Sequence, residues 1–260
     1  MIKSLFLRIK LFNSFLAFWY SVFYKSKIKN DNNYWIHYTR NGIFINFHPI
    51  KNLKLFIENY NSFTKYYIPK KNDVIFDLGA GLGQETIYFS KKTGNNGKVL
   101  SFEPDPRLYK VLKKIIQLNN LKNIKLYNSA FFYENNKSIK FNLVDNWMQN
   151  SANPNKDSVQ FVNVKTTTLD YVIKINKIKK IDFAKFNIEG AEKFLKKGNK
   201  RFLKICKNLS ISCHDFIGYD EFKTFELVKK ILIQNNFEIK NNQSKNKIFK
   251  YYLYAKKKSV

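Results

Sequence analysis

Cysteines and long apolar runs are both scarce in this sequence. The chain has two cysteines, Cys206 and Cys213, which show neither the spacing of metal ligands nor a set of pairs. We therefore expect neither structural zinc nor a disulfide framework, and a reducing, cytoplasmic setting is the default. The apolar stretch at residues 11–24 is about 14 residues long, short of the roughly 20 that cross a bilayer. No small-residue cleavage site follows it, so both a transmembrane span and a secretory signal are disfavoured.

Acidic residues are scarce as well: 19 Asp and Glu stand against 47 Lys and Arg, which gives a net charge of +28. A diffuse positive potential attracts anionic glycans, anionic membrane lipids or nucleic acids. The lysines are nevertheless spread along the whole chain among abundant Asn, Ile and Phe, a composition typical of AT-rich genomes. Charge alone therefore indicates no particular partner. The hydrophobic share of 44% predicts a packed core.

The first 70 residues are interpreted as an N-terminal extension made of a basic apolar helix, a β-hairpin and a second helix. Apolar residues alternate from Tyr34 to Phe47 on both sides of Asn41-Gly42, a dipeptide that favours a tight hairpin turn. The second helix is predicted over residues 50–62. Pro69 then precedes the boundary with the main domain, which we place at residue 71.

The first helix allows two interpretations. In the favoured one it packs on the domain, because aromatic residues at helical spacing belong to a core more often than to an anchor. In the other, residues 1–30 lie against an anionic membrane, which would make the protein peripheral to the inner face of that membrane. The aromatic residues that would then enter the membrane surface are Phe15, Phe18, Trp19 and Phe23.

From residue 71 to residue 260, strand-like and helical segments alternate. This alternation predicts an α/β fold with a mostly parallel sheet and helices on both faces. A hairpin inserted within residues 131–167 interrupts it, with strands at 138–144 and 159–164. The strands of the main sheet are predicted at 73–78, 98–102, 123–128, 181–188, 208–213, 236–240 and 248–255.

A glycine-rich turn follows the first of these strands. Residues 73–83 read Asp-Val-Ile-Phe-Asp-Leu-Gly-Ala-Gly-Leu-Gly. Glycines at alternate positions let the backbone turn sharply and approach a ligand, and the helix that follows offers free N–H groups to an anion. A dinucleotide fingerprint would need its last glycine where Gln84 stands. The spacing therefore favours a methionine-derived cofactor over NAD.

The ends of the second and third strands supply further candidate cofactor contacts. Glu103 and Pro104 follow the second strand, at the sheet edge where ligands of open α/β sheets bind. The Glu103 carboxylate can accept hydrogen bonds from both ribose hydroxyls of a nucleoside. Ser129 follows the third strand, where it could meet an adenine ring, although an ordinary loop fits this position nearly as well.

Polar side chains also end the fourth and fifth strands. Lys185, Asn187 and Glu189 alternate onto one side, and polar groups there are costly unless they are hydrogen-bonded or functional. An ion pair that caps the next helix is the alternative explanation. His214 lies in the run Ser-Cys-His-Asp at the end of the fifth strand, and His is the side chain best suited to remove a hydroxyl proton near neutral pH. These four residues are the candidate catalytic residues.

Over most of residues 66–256 the chain resembles the FkbM family of methyltransferases. The Thr-Leu-Asp and Glu-Gly-Ala-Glu segments in this order are specific to that family, whereas the glycine loop alone indicates only the cofactor. The residues that carry the resemblance are Asp-Leu-Gly-Ala-Gly-Leu-Gly at 77–83, Phe-Glu-Pro-Asp-Pro at 102–106, Asn119 with Asn123, Thr-Leu-Asp at 168–170, and Lys-Phe-Asn-Ile-Glu-Gly-Ala-Glu at 185–192 followed by Gly198.

The resemblance implies a Rossmann-like seven-stranded sheet with an antiparallel last strand, and methyl transfer to oxygen on sugars or natural products. It assigns S-adenosylmethionine as the cofactor, and it places the acceptor among the four candidate catalytic residues. The commoner family pattern has Asp where this chain has Asn187, so we predict no metal ligand there. Motif position and the resemblance together predict the cofactor-binding residues, of which Ser129 rests on position alone: Asp77, Gly79, Ala80, Gly81, Gly83, Gln84, Glu103, Pro104 and Ser129.

We therefore predict an O-methyltransferase that uses S-adenosylmethionine and acts on a hydroxyl of a glycan, glycolipid or related small molecule. His214 is the first choice for the base and Glu189 the second. Two alternatives stay open. One is an RNA methyltransferase, which the positive charge favours, although no RNA-binding module precedes the domain. The other is a protein that binds the cofactor without turnover, which Asn187 favours.

Overall fold

The computed structural model describes residues 10–24, 26–31, 33–50, 52–143, 160–240, 242 and 244–258. Its N-terminal part begins with helix α1 (Lys10–Phe23) and an antiparallel sheet of β1 (Lys27–Asn30), β2 (Trp35–Thr39) and β3 (Gly42–Asn46). Two short helices follow, α2 (Leu53–Ile57) and α3 (Tyr60–Phe63). Within the described residues, no helix is long and apolar enough to cross a membrane.

Strands and helices alternate through the rest of the chain. Short 3-10 helices at Ala191–Lys196, Asp215–Ile217, Asp220–Phe222 and Phe249–Tyr251 lie between the longer elements. The longer elements are β4 (Val74–Leu78), α4 (Gln84–Thr93), β5 (Lys98–Phe102), α5 (Pro106–Leu118), β6 (Ile124–Tyr127), β7 (Ala130–Phe131), β8 (Ser138–Leu143), β9 (Gln160–Thr167), α6 (Leu169–Ile175), β10 (Phe183–Phe186), α7 (Lys200–Ile205), β11 (Asn208–Ser212), α8 (Phe225–Gln234), β12 (Phe237–Lys240) and β13 (Tyr252–Lys257).

The central sheet has seven strands in the order β12-β13-β11-β10-β4-β5-β6. The pairs from β11 to β6 are parallel, whereas β13 runs antiparallel to both β11 and β12. From β4 the chain first builds outward through β5 and β6, and it later returns to add β10 on the other side. Such a reversal opens a crevice at the carboxyl ends of the strands, where ligands bind. The predicted Rossmann-like sheet with an antiparallel last strand is confirmed.

Helices cover both faces of this sheet because successive side chains of a strand point to opposite sides. In β4, Ile75 packs with Phe89 of helix α4. Its neighbour Phe76 points the other way and joins the main core, which includes residues of α6, α7 and α8 such as Val172, Phe202 and Val228. The apolar run at residues 74–76 of β4 is thus explained by burial on both faces.

The N-terminal sheet packs on the outside of helices α4 and α5. Ile36 and Ile45 share a buried cluster with Ile87 and Val111 of those helices. The side chain of Asn119 at the end of α5 also accepts a hydrogen bond from the Ile43 N–H and donates one to the Ile43 carbonyl, each at 2.8 Å. Residues before the boundary at residue 71 therefore share a core with the main domain, and the division of the chain there remains a prediction.

The Thr-Leu-Asp segment at 168–170, which carries part of the family resemblance, holds two helices in place. Thr168 caps α6 by accepting a hydrogen bond from the Tyr171 N–H at 3.2 Å. The Asp170 carboxylate accepts from the N–H groups of Arg201 and Phe202 at 2.9 and 2.7 Å. A carboxylate is stabilised at a helix N-terminus, so Asp170 fixes α7 against α6.

The boundaries of several elements differ from the prediction. Strand β1 was not predicted, because its only buried apolar residue is Ile28 and it shows no alternating pattern. The predicted helix over 50–62 is two short helices. The predicted turn at Asn41-Gly42 lies one residue earlier, since Gly42 already pairs with Thr39.

The last strand begins at Tyr252 and not at residue 248. The Asn246 side chain accepts hydrogen bonds from the N–H groups of Ile248 and Phe249 at 2.9 and 3.2 Å, which favours a helical turn there. The inserted hairpin pairs β8 with β9 as predicted, while residues 144–159 between them lie outside the described residues.

Candidate active site

A cavity of about 410 Å³ lies at the carboxyl ends of β4, β5, β10 and β11. It brings together almost all residues that the sequence predicted for the site. Asp77 and Gly83 are the exceptions, because they lie behind the cavity wall. The predicted residues in the wall are Gly79, Ala80, Gly81, Gln84, Glu103, Pro104, Ser129, Lys185, Asn187, Glu189 and His214.

The glycine loop joins β4 to helix α4 and passes directly over the end of β10. The N–H groups of Gly79 and Ala80 donate to the Phe102 carbonyl at 3.1 and 2.9 Å, which ties the loop to β5. Gly79 has a φ of 75°, and a Cβ atom there would lie 1.9 Å from the Asn187 carbonyl oxygen. Only glycine allows the backbones of the two strand ends to approach this closely.

A buried ion pair supports the loop from below. Lys185 Nζ lies 3.1 Å from Asp77 Oδ1 and donates a hydrogen bond to the Gly79 carbonyl at 2.7 Å. Asp77 Oδ2 accepts a hydrogen bond from the Thr86 hydroxyl at 2.6 Å. Burial alone would lower the pKa of Lys185, but Asp77 and then Glu85 outweigh it and raise that pKa. These contacts indicate that Lys185 positions the loop, and its predicted catalytic role remains a prediction.

Glu103 lies buried at the end of β5, beside the loop. Its Oε2 accepts a hydrogen bond from the Gly81 N–H at 2.8 Å, and its Oε1 accepts one from the Asp105 N–H at 2.9 Å. Burial raises the pKa of Glu103 to about 7, although both backbone hydrogen bonds oppose the rise. A carboxyl group held in this way beside a cavity can form strong hydrogen bonds with hydroxyl groups of a ligand.

Pro104 and Ser129 form the wall next to Glu103. The Asn128 side chain donates to the carbonyls of Glu103 and Pro104 at 2.8 and 3.0 Å, which fixes the two strand ends against each other. The Ser129 hydroxyl is buried, and among the described residues it has no hydrogen-bond partner. Since a buried hydroxyl without a partner is costly, a polar group of a ligand fits this position.

Glu189 and His214 form a close pair on the opposite wall. His214 Nε2 lies 2.9 Å from Glu189 Oε1, and Nδ1 lies 3.5 Å from Glu192 Oε1. Burial alone would lower the pKa of His214, but the charges of Glu189 and Glu192 outweigh it and raise the pKa to about 10. His214 is therefore protonated at neutral pH, held between two carboxylates.

The backbone turns sharply between β10 and these residues. Glu189 has a φ of 50° and Gly190 a φ of 87°, both in the left-handed region that few residues other than glycine adopt. A backbone held in such a conformation next to a cavity is often part of a functional site. Here it directs the Glu189 side chain toward His214.

Several cavity residues were not predicted from the sequence. Asn59 and Phe63 come from the N-terminal extension, and the Asn59 side chain donates to Glu85 Oε1 at 2.7 Å. Burial raises the pKa of Glu85, against the opposing charge of Lys185. Glu85 follows Gln84 in the first turn of α4, so its place in the cavity wall could have been predicted from its position next to the glycine loop. Nothing in the local sequence marks Asn59.

The cavity fits S-adenosylmethionine on three observations. The loop backbone approaches Asn187 so closely that only glycine is accommodated, Glu103 presents a buried carboxyl group, and Ser129 has a buried hydroxyl without a partner among the described residues. The start of helix α4, which the loop brings to the cavity, suits a small anionic group, Glu103 suits a ribose and Ser129 suits a base.

A sequence model described as a methyltransferase FkbM domain matches residues 77–239, which is more than half of the chain. No curated protein matches the chain significantly in sequence.

Several solved structures are similar in fold. One is the methyltransferase FkbM from Methylobacillus flagellatus KT, at 16% identity and a TM-score of 0.49; the match covers 74% of this chain and 45% of that protein. The chain thus spans less than half of the Methylobacillus protein. A methyltransferase from Aquifex aeolicus that depends on S-adenosylmethionine is 18% identical, with 76% and 92% coverage and a TM-score of 0.45. Fibrillarin from Aeropyrum pernix, crystallised with bound S-adenosylmethionine, is 12% identical, with 88% and 97% coverage and a TM-score of 0.44.

Proposed function

The chain belongs to the FkbM family of methyltransferases, and we propose that it transfers the methyl group of S-adenosylmethionine to a hydroxyl oxygen of a glycan, glycolipid or related small molecule. The observation that carries this proposal is the pair of Glu189 and His214, 2.9 Å apart in the cavity wall. A carboxylate next to an imidazole is suited to accept the proton that a hydroxyl group loses when its oxygen is methylated.

The residues of the glycine loop and of β5 would hold the cofactor. The loop backbone with the start of α4 would bind the methionine carboxylate, Glu103 would bind the ribose hydroxyls, and Ser129 would contact the adenine ring. S-adenosylmethionine carries the methyl group on a positively charged sulfur. That sulfur leaves as a neutral thioether, so the cofactor brings its own leaving group. The protein therefore mainly has to align the acceptor oxygen and take up a proton.

Glu189 is the better candidate for the proton acceptor. His214, with its pKa raised to about 10, already carries its proton at neutral pH and cannot take up another. Glu189 lines the cavity and forms an ion pair with His214, so the histidine holds the carboxylate in position. This reverses the order of preference that the sequence alone favoured.

The cavity wall combines aromatic and polar side chains, which is the composition that suits a sugar. Aromatic rings of Phe63, Phe131 and Tyr252 line it together with polar groups of Asn59 and Ser212. A sugar ring presents an apolar C–H face and a rim of hydroxyl groups, which aromatic faces and hydrogen-bonding side chains can contact together. This composition favours a glycan over a purely apolar acceptor.

The proposal is tested by incubating the protein with methyl-labelled S-adenosylmethionine and a panel of acceptors: monosaccharides, nucleotide sugars, lipid-linked saccharides and RNA. We expect label in at least one saccharide class. For that acceptor, Glu189→Gln should lower kcat by about 10²- to 10⁴-fold, the usual contribution of general acid–base catalysis. Affinity for S-adenosylhomocysteine should stay unchanged.

Glu226→Gln serves as the matched control, because Glu226 is an exposed residue of α8 that does not line the cavity. Its turnover should equal that of the wild type. Near-normal turnover of Glu189→Gln would exclude Glu189 as the proton acceptor.

An RNA acceptor is the second candidate, and the net charge of +28 is the observation that favours it. Label found in RNA but in no saccharide, together with RNA binding that weakens steeply with salt, would establish this candidate and overturn the glycan proposal.

A further inference from the structure

Helix α1 exposes an apolar face of unusual size. Five large side chains on this face are between 45% and 74% exposed: Phe15 (56%), Phe18 (64%), Trp19 (45%), Val22 (55%) and Phe23 (74%). Trp19 contacts the other three aromatic rings at centroid distances of 6.0 to 6.3 Å, so they form one cluster. We call this set of five residues the aromatic face. Contiguous apolar surface of this kind marks a binding site more often than chance exposure.

The opposite face of α1 is firmly packed. Ala17 is buried against Ile28 and Trp35 of the N-terminal sheet. The Ser21 hydroxyl accepts a hydrogen bond from the Ile28 N–H at 2.9 Å, which ties the helix to β1. One side of the helix thus packs on the protein, as in the favoured sequence interpretation, and the other side presents the aromatic face.

The segment that carries the aromatic face has charges of one sign only. Residues 1–30 contain no acidic side chain, and the exposed Lys27 and Lys29 of β1 extend over Tyr38, on the face of the N-terminal sheet away from α1. The first acidic residue, Asp31, is neutralised by Lys114, whose Nζ lies 2.6 Å from Asp31 Oδ2. A positively charged segment without free acidic side chains is attracted more strongly to an anionic surface.

We propose that helix α1 docks the protein on an anionic lipid bilayer, with the helix lying in the plane of the membrane and the aromatic face entering the headgroup region. Amphipathic helices with aromatic side chains on one face and basic surroundings bind membranes in this way. A second copy of this chain fits less well, because each copy carries a net charge of +28 and the two would repel each other. This inference does not depend on which acceptor the enzyme methylates.

The test measures co-sedimentation of the full-length protein with phosphatidylcholine vesicles that contain or lack phosphatidylglycerol. The test variant replaces Phe18, Trp19 and Phe23 by Ser. The control variant replaces Leu55, Phe161 and Ile233 by Ser, which are exposed to a similar degree but lie elsewhere. We expect the wild type and the control to bind anionic vesicles equally. The test variant should partition at least about tenfold more weakly.

A second measurement does not depend on the fold of the triple variant. Lipids brominated in the acyl chain should quench the tryptophan fluorescence of the bound protein. The measurement is made in a Trp147→Phe background, where only Trp19 and Trp35 remain. Quenching should be lost when Trp19 is also changed to Phe, because Trp35 is 4% exposed and lies in the packed cluster. The proposal is overturned if the wild type does not sediment with anionic vesicles, or if both triple variants weaken binding equally. A concentration-dependent dimer that the test variant abolishes, without vesicle binding, would assign the face to a second copy.

Discussion

His214 and His37 are two buried histidines whose pKa values shift in opposite directions, and this contrast allows a sharp test of the site. Burial alone lowers the pKa of His37 to about 4. The carboxylates of Glu189 and Glu192 overcome the same burial effect at His214 and raise its pKa to about 10. The free energy of unfolding should therefore depend on each histidine in a separate pH window.

The sign follows from which state binds the proton more tightly. At His214 the folded protein does, so the stability that this residue contributes is complete below the unfolded pKa of 6.5 and is lost as the pH rises toward 10. Each pKa unit corresponds to about 1.4 kcal/mol, so the whole effect is about 5 kcal/mol. At His37 the unfolded chain binds the proton more tightly. The stability that neutral His37 contributes to the folded protein is therefore lost as the pH falls from 6.5 toward 4.

The assay is urea unfolding of the wild type, His214→Gln and His37→Gln at half-unit steps from pH 5 to pH 9.5. We expect the difference in unfolding free energy between the wild type and His214→Gln to shrink by about 1.4 kcal/mol per pH unit above pH 6.5. The difference between the wild type and His37→Gln should stay constant in that window. A constant difference for His214→Gln as well would show that His214 is not held as a cation, and the preference for Glu189 as proton acceptor would fall with it.

Three further predictions concern the glycine loop and its support. Lys185→Met leaves Asp77 as a buried charge without its partner, so urea unfolding should show a loss of about 3–5 kcal/mol, largely recovered when Asp77 is changed to Asn as well. Gly79→Ala should lose at least about 3 kcal/mol and all binding of S-adenosylhomocysteine, because its Cβ would meet the Asn187 carbonyl. Gly94→Ala has open space around its Cβ but a φ of 68° and a ψ of −178°, so it should lose about 1–3 kcal/mol and keep that binding. Glu103→Ala should weaken calorimetric binding of S-adenosylhomocysteine by about 10- to 150-fold, and unchanged affinity would exclude ribose binding by this residue.

The order of the elements and the membership of the cavity wall could largely be predicted from the sequence. Strands buried on both faces appear in the sequence as short, mainly apolar runs, and parallel strands place the residues that follow them at one edge. The polar residues after β4, β5, β10 and β11 therefore had to meet. Their individual roles stay predictions.

Features that depend on contacts distant in sequence could not be predicted. Local sequence pattern gives no reason to expect that Lys185 pairs with Asp77 beneath the loop, because Asp77 lies in a different strand, more than 100 positions earlier in the chain. The protonation of His214 depends on Glu189 and Glu192, which belong to a different strand end. Strand β1 and the early turn of the hairpin are fixed by packing on α1 and α5, and local propensity does not determine either of them.

The cavity wall draws on residues inside and outside the region that the family model matches. The residues proposed to hold the cofactor lie within the matched region, residues 77–239, whereas Asn59, Phe63, Ile248 and Tyr252 lie outside it. The match to the family model therefore bears directly on the residues proposed to hold the cofactor and not on these four. Substitutions at these four positions, which leave the matched region unchanged, are accordingly a direct way to test for a change in acceptor preference.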